Sequence, residues 1–481
     1  MDVSSENFIP LAKVALDNQD LQNTLGLLGK GLGGRRAEAA TALPEFEQLR
    51  DEARDIKNHT LAHLDLYLEK FEQQVMARGG TVHWASTDDE ARQMVLDICQ
   101  QNNARHVTKS KSMVTEELDL VPFLEDNGLE TVETDLGEYI IQLRHERPSH
   151  IVAPAVHLTK ADVSDTFFEH HRKLGFNEKL EARADLVGEA RNVLRSKFLQ
   201  ADVGISGANF LVAETGSIVL VTNEGNAELT TSLVDTHIVV TGIEKVVPTM
   251  EDVSTFVRVL ARSAIGMEIS TYTSFVTGPR REGDMDGPKN FHVVLVDNGR
   301  SNMLGTQFQD MLRCIRCSAC LHHCPVYLSV GGHAYGSVYN GPMGAVLTPQ
   351  LATLNKAAHL PNASTFCGRC EEVCPVRIPL PKLMRFWRNR EMETKTPSAA
   401  NDKTMRWGLA FWAWMNRNPA AHRVITAIVV AVLSRFGSAG FIRQLPGVAG
   451  NWTKYRDLHQ PEGKTFMQLY RATMTQRKTG D

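Results

Sequence analysis

Cys314-Ile-Arg-Cys317-Ser-Ala-Cys320-Leu-His-His-Cys324-Pro325, answered by Cys367-Gly-Arg-Cys370-Glu-Glu-Val-Cys374-Pro375, is the pair of runs around which this 481-residue chain is arranged. The first reads C-x2-C-x2-C-x3-C-P, the spacing by which thiolates hold 4Fe–4S clusters. Three cysteines grip three irons of one cube. The fourth, set in extended backbone by the following proline, points toward a second cluster. The second run repeats this pattern one ligand short: aligned on Cys374-Pro375, its slots fall on Ser364, Cys367, Cys370 and Cys374. Exchange between the runs assigns Cys314, Cys317, Cys320 and Cys374 to one cluster and Cys324, Cys367 and Cys370 to the other. The remaining iron of the second cluster takes Ser364 as an alkoxide, another side chain or solvent, or is absent as in a 3Fe–4S centre. Either way, the second cluster is expected to be the atypical one. Paired C-x2-C motifs also build zinc ribbons, but runs this dense, occurring twice, supply more thiols than a tetrahedral ion uses.

Seven of the eight cysteines lie in these runs, and the other is Cys99. Hardly any remain for disulfides, so a reducing compartment, the bacterial cytoplasm, is expected. Met1-Asp-Val-Ser-Ser-Glu shows no basic start with an apolar run behind it, hence no secretory signal. The composition, 42% hydrophobic and 22% charged, is that of a globular protein. The net charge of −4 hides an asymmetry. From Val376 onward there are 18 Lys+Arg against 6 Asp+Glu, a surplus of 12 that leaves −16 on the first 375 residues. Trp387, Trp407, Trp412, Trp414 and Trp452, five of the six tryptophans, share that basic end. A basic, Trp-rich end on an acidic body suits docking to an acidic partner or an anionic membrane surface, at the inner membrane's periphery. No nucleic-acid partner is expected.

Length allows two to four domains. Residues 1–78 read as a helical segment, from the periodicity of Ala37-Glu-Ala-Ala-Thr-Ala-Leu and Phe46-Glu-Gln-Leu-Arg-Asp-Glu-Ala. Gly26-Leu-Leu-Gly-Lys-Gly-Leu-Gly-Gly resembles a phosphate loop, but Lys30 is followed by glycine and no strand precedes it, so a flexible turn is expected. Residues 79–300 alternate strand-like and helix-like segments, the mark of an α/β domain. Strands are expected at Thr81-Val-His-Trp, Tyr139-Ile-Ile-Gln-Leu, His150-Ile-Val-Ala, Phe210-Leu-Val-Ala, Ser217-Ile-Val-Leu-Val, His237-Ile-Val-Val and His292-Val-Val-Leu-Val. Cys99 falls on an amphipathic helix from Glu90 and reads as core filling. Residues 301–385 form the two-cluster, ferredoxin-like α-helical domain, in which 42 residues separate the runs. Residues 386–481 form the basic, Trp-rich helical end. Its apolar stretch Val424–Leu433 is half of a transmembrane span, and is expected as a buried or interfacial helix.

Three polar clusters fall where strands should end: Lys109-Ser-Lys-Ser, Glu214-Thr-Gly-Ser and Asn223-Glu-Gly-Asn. Ligands bind at strand C-terminal ends in open α/β sheets, so these clusters are candidates for one pocket, and each alone is also good turn chemistry. His150, His157, His322 and His323 read first as satisfied histidines. The last two sit inside the first cysteine run, where they could tune a cluster through hydrogen bonds.

The order of these parts is similar to that of the lactate utilization protein B family, over nearly the whole length. The likeness rests on the paired runs with Ser364 in the missing slot, Gly204-Ile-Ser-Gly-Ala-Asn-Phe, Ala213-Glu-Thr-Gly-Ser, Pro148-Ser-His-Ile-Val-Ala-Pro-Ala and the Trp-rich end. The resemblance implies a sugar-phosphate isomerase/CoA-transferase-like fold for residues 79–300. It implies an iron–sulfur electron-transfer component of a system that oxidises L-lactate to pyruvate, with a companion cysteine-rich iron–sulfur protein and a second α/β protein as partners. It assigns the seven motif cysteines as spacing does, and no catalytic residue in the α/β domain. No GxGxxG fingerprint follows a strand. Two alternatives have a basis in the residues: an acyl- or CoA-transferring enzyme with Glu214 as nucleophile or base, and a redox-sensing ligand-binding protein.

Overall fold

The computed structural model describes residues 3–394, 400–454 and 456–478, and the chain divides into two compact units, 1–394 and 395–481. Ten strands of the first unit, numbered in chain order, form two sheets. Six of them, β1 (Thr81–Ala85), β2 (His106–Lys109), β3 (Glu130–Glu133), β4 (Val203–Ser206), β7 (Thr236–Gly242) and β10 (Asn290–Val296), make a wholly parallel sheet in the order β1-β10-β7-β4-β2-β3. The other four, β5 (Phe210–Val212), β6 (Ser217–Thr222), β8 (Val246–Val247) and β9 (Tyr272–Val276), make a smaller sheet ordered β8-β5-β6-β9.

The parallel sheet explains the unbroken apolar runs, because its strands are covered on both faces. On one face Val95, Ile98 and Cys99 of helix Asp88–Gln101 meet Val107, Ile205, Ile238 and Val240. On the other, Phe71 and Val75 of helix Leu64–Ala77 meet Val239, Val293 and Leu295. Cys99 is fully buried, and that burial pushes its thiol up to about 12, as suits core filling.

Two expected strands are something else. Tyr139-Ile-Ile-Gln-Leu lies in helix Leu136–Leu143, started by Asp135, whose Oδ1 accepts the Glu138 N–H at 3.1 Å. A short apolar run fits either element, and the cap decided it. His150-Ile-Val-Ala is a loop between Pro148 and Pro154, closed by the His150 ring, whose Nδ1 accepts the N–H groups of Val152 (3.0 Å) and Ala153 (2.9 Å). The glycine-rich Gly26 stretch is no turn: helix continues from Gln19 to Thr41, widened over Gly29–Gly33. Its glycines permit close packing, for a Cβ on Gly29 would stand 2.9 Å from Leu328.

Gly204 shows how tightly the sheet is covered. A Cβ there would lie 1.9 Å from the carbonyl oxygen of Thr230, in the helix Asn226–Ser232 that crosses β4. Gly204→Ala is therefore expected to cost about 1–3 kcal/mol, read as a lower urea midpoint with an unchanged slope.

One hydrophobic core joins the N-terminal helices to the cysteine-bearing segment, with Leu25, Phe46 and Leu49 beside Phe308, Tyr327, Tyr335 and Tyr339. Helix Leu380–Thr394 runs across residue 386 and closes this core. Its Trp387 stacks on Phe308 at 4.1 Å and donates Nε1–H to the Val346 carbonyl at 2.9 Å. The second unit holds helices Ala400–Arg417, Pro419–Leu433 and Phe466–Lys478 with a ribbon of Phe441–Ile442 and Leu458–His459. Val424–Leu433 is not buried as one reading of it expected: Val424, Ile428, Val429 and Val432 are exposed, as are Trp407, Trp412, Trp414 and Trp452. Among the described residues no helix is long and apolar enough to cross a membrane.

Candidate functional site

The two cysteine runs carry one backbone design twice, fifty residues apart. Residues on either side of the second slot, Cys317 or Cys367, take left-handed backbone, Arg316 (φ 61°) and Ser318 (φ 63°) in the first run, Phe366 (φ 53°) and Gly368 (φ 84°) in the second. Short helices follow at Ala319–His322 and Arg369–Glu372. Each run closes with backbone N–H pointing at the last sulfur: Tyr327 N lies 3.5 Å from Cys324 Sγ, and Ile378 N 3.4 Å from Cys374 Sγ. Ser364 stands where the first run has Cys314, half-buried, its Oγ accepting the Phe366 N–H at 3.2 Å.

Electrostatic proximity sorts the thiols into two sets. Burial raises the Cys317 thiol to about 12, with Cys374 and then Cys314 adding to it electrostatically. Burial also raises Cys374, with Cys314 beside it, and Cys320, with Cys317 and Cys314 foremost. Cys370 rises to about 12 through burial, then Cys324 and Cys367. Cys320 also feels Cys370, so the sets adjoin. Thiols this desolvated stay protonated unless a metal takes the proton's place, which is the chemistry of a cluster ligand and not of a free nucleophile. Among the described residues, no three His, Cys, Asp or Glu side chains converge as ligands of a single ion.

Fixed cations surround the first set. Arg36 bears on Cys317, Arg50 on Cys374, Arg313 on Cys374 and Arg316 on Cys314. Arg36 and Arg50 come from the N-terminal helices and are pinned by carbonyls of the second run: Arg36 Nη2 to Val373 O at 2.7 Å, Arg50 Nη2 to Cys374 O at 2.8 Å. Four guanidiniums around four thiols suit a group that brings negative charge, as thiolate-ligated clusters do. The donor set thus fits iron–sulfur clusters. Cys317, Cys320, Cys324, Cys370 and Cys374 are buried and Cys314 half-buried, whereas Cys367 of the second set reaches solvent.

All four histidines are placed. His157 is satisfied by Ser149 Oγ (2.8 Å) and Glu146 Oε2 (2.7 Å), and His323 Nδ1 donates to the Ala319 carbonyl at 2.9 Å. His150 and His322 stack with ring centroids 5.0 Å apart, their Nε2 atoms 3.0 Å from each other, joining the α/β domain to the first run.

A cavity of about 280 Å³ opens at the C-terminal ends of β2, β4 and β7, where the sheet order predicts a ligand site. Ser110, Lys111 and Ser112 line it from one side and Asn223, Glu224 and Asn226 from another, so two of the three polar clusters meet there. The third does not. Glu214-Thr-Gly-Ser is the β5–β6 turn, outside this cavity, where the exposed Glu214 accepts the Met250 N–H on Oε2 at 3.1 Å. Lys109 is also spoken for, fully buried and paired with Glu116 (2.9 Å) and Glu133 (2.5 Å).

Lys245 and Arg316 line the same cavity, and neither stood out in the sequence as a site residue. Lys245 follows the end of β7 by three residues, a place visible only once the strand's end is known. Arg316 sits between Cys314 and Cys317, so the cavity and the first thiol set share a wall. Behind them runs a buried chain of charge: Arg316 Nη2 to Glu244 Oε1 (3.1 Å), Glu244 Oε2 to Arg300 Nε (3.0 Å), and Arg300 to both oxygens of Glu117 (2.9 and 2.6 Å).

Comparison with known proteins finds two family models along this chain. A family model described as LUD domain matches residues 68–296, and one described as 4Fe-4S dicluster domain matches residues 310–378. Lactate utilization protein B of Bacillus licheniformis is 43% identical over 98% of this chain and 97% of its own length. The protein of that name from Bacillus subtilis is 41% identical over 100% of this chain and 99% of its own. A crystal structure of a DUF162 family protein from Deinococcus radiodurans, 16% identical, covers 48% of this chain and 98% of that one, with a TM-score of 0.28.

Proposed function

This chain belongs to the lactate utilization protein B family, and from that premise we propose that it is the electron-carrying subunit of a multi-protein system that oxidises L-lactate to pyruvate. Cys314, Cys317, Cys320 and Cys374 would hold one cluster and Cys324, Cys367 and Cys370 the other, with Ser364 the candidate for the place without a cysteine. Iron–sulfur clusters, when bound, accept and release single electrons. The protein's own residues supply the surroundings: guanidiniums at the first set offset thiolate charge, and N–H groups at Cys324 and Cys374 orient the sulfurs.

The observation that carries this reading is the position of Arg316, which lies inside the first run and in the wall of the strand-end cavity. One thiol set therefore borders an internal binding space while the other opens to solvent at Cys367. That arrangement suits reducing equivalents arriving from the cavity side and leaving toward a partner. The companion iron–sulfur protein and the second α/β protein are the partners we propose. The second unit's exposed tryptophans, in a basic stretch, provide a surface for one of them or for an anionic membrane.

The test is anaerobic copurification with those partners, with iron and sulfide analysis and EPR before and after L-lactate. Lactate-dependent reduction of signals from two clusters is expected. Colourless or zinc-loaded protein would refute the reading, and lactate oxidation by this chain alone with an artificial acceptor would refute the subunit role.

A further inference from the structure

We infer that the strand-end cavity is a binding site for a small 2-hydroxycarboxylate, with Lys245 as the contact for its carboxylate and Thr241 and Ser110 as partners for its hydroxyl. Lys245 is 7% exposed and lines the cavity, yet its ammonium makes no hydrogen bond or ion pair among the described residues. Its neighbour Glu244 attracts it through space but makes no hydrogen bond or ion pair with it, its oxygens being held by Arg300 and Arg316. Lys111, the other lysine in the wall, already donates to the Val152 carbonyl at 2.6 Å. A desolvated ammonium without a partner is costly, and an anion entering the cavity would relieve that cost.

The hydroxyls point to the same ligand class. Thr241 Oγ1 is buried in the cavity wall with no partner, and the Ser110 hydroxyl, 3% exposed, also makes no hydrogen bond. Unpaired buried polar groups favour a ligand that supplies their missing partners, and discriminate against one that does not. Asp135 and Glu224 line the cavity too, but each is engaged with a backbone N–H, of Glu138 and Leu136 respectively. A volume of about 280 Å³ suits a small metabolite.

The choice of L-lactate as probe rests on the proposed function, but the test does not require electron flow. L-lactate, pyruvate and inorganic phosphate are titrated calorimetrically into the anaerobically prepared full-length protein and its Lys245→Met, Lys245→Arg and Thr241→Val variants. L-lactate binding is expected, weakened about ten- to a hundredfold in Lys245→Met, the worth of a charge-assisted hydrogen bond. Lys245→Arg should retain most of it. Thr241→Val should weaken L-lactate more than pyruvate, because only lactate has the hydroxyl. Equal affinity in Lys245→Met with iron content unchanged, no lactate binding by the wild type, or tighter binding of phosphate than of lactate would each overturn the assignment. Binding without lactate-driven reduction would sink the electron-transfer reading alone, and reduction without binding would sink this one.

A second inference rests on the histidine pair. We propose that His150 fixes the tautomer of His322 so that His322 offers an Nδ1–H to a sulfur of the adjoining cluster. His150 Nδ1 accepts two backbone N–H groups and so carries no proton, which leaves its proton on Nε2. That proton is shared with His322 Nε2 at 3.0 Å, so His322 accepts there and carries its own on Nδ1. His322 Nδ1 is buried without any protein partner, two residues from both Cys320 and Cys324. Donors to cluster sulfurs favour the reduced state.

In an EPR-monitored redox titration, His322→Leu is expected to lower the potential of one cluster, and His322→Asn, whose amide restores an N–H near that position, to return it toward wild type. His150→Leu should give a smaller drop. Two potentials unmoved in iron-replete His322→Leu would overturn the proposal. Should that variant lose its iron, unmoved potentials in His150→Leu would do so instead.

Discussion

Cys374→Ala is expected to abolish the same cluster EPR signal as Cys317→Ala, and not the one lost in Cys367→Ala. The contrast is sharp because Cys374 follows Cys370 by four residues and Cys317 precedes it by 57. Ligation within each run would tie Cys374 to Cys367 and Cys370. Its nearest thiol influence is instead Cys314, and Cys317 in turn feels Cys374 before any other sulfur. Loss of one ligand from a cube also removes binding energy that is folding energy, so the variant's unfolding midpoint should fall with its iron content. Cys324→Ala should behave in the opposite sense, grouping with Cys367→Ala and Cys370→Ala. Iron per chain, sulfide per chain and EPR across the five variants decide the matter. A Cys374→Ala protein that keeps the signal shared with Cys317 would refute the exchanged pairing.

Arg300→Ala is expected to destabilise the first unit by about 3–5 kcal/mol, as removal of one member of a buried ion pair does. The Arg300 side chain is fully buried, forked onto both Glu117 oxygens and paired with Glu244. Its loss leaves Glu117 with Tyr339 and Asn298 as donors and Glu244 with Arg316. Arg300→Lys keeps the charge but not the fork and should recover only part of the loss. Urea unfolding measures both.

An acid signature should accompany it. Burial alone would raise the Glu244 carboxyl, but Arg300, Arg316 and Lys245 outweigh burial and bring it from an ordinary value near 4.5 down to about 2. A depressed carboxyl stabilises the fold above its unfolded value, and that contribution fades as pH falls from about 4.5 toward 2. Wild type should therefore lose stability across that window more steeply than Arg300→Ala. Parallel acid branches would mean that Arg300 does not set the charge state of Glu244.

The cysteine runs were legible in the sequence because ligand spacing along a chain is itself geometry: a slot is a slot wherever the fold puts it. Ser364, Arg316/Phe366 and Ser318/Gly368 recur in matching turns because the same run of short helix and left-handed residues is needed to wrap one face of a cube. The buried parallel strands were legible for a similar local reason, since β7 and β10 are apolar on both faces. Tyr139-Ile-Ile-Gln-Leu misled because four apolar residues in five have no period to read, and a single cap, Asp135, settled the outcome.

By itself, the sequence determined the chemistry available: seven thiols in two matched runs, one slot short, behind an α/β domain and ahead of a basic, Trp-rich end. Only the tertiary structure decided which charged groups face one another. Lys245, Arg300 and Arg316 share no motif, yet strand ends and a turn of the first run bring Lys245 and Arg316 to one wall, with Glu244 and Arg300 behind them. It also placed Glu214 outside the cavity and left the Lys245 ammonium without a hydrogen bond or ion pair. The reason is physical: metal ligands act through spacing that the chain carries locally, whereas charge pairing and desolvation act through space and exist only after the chain has closed on itself.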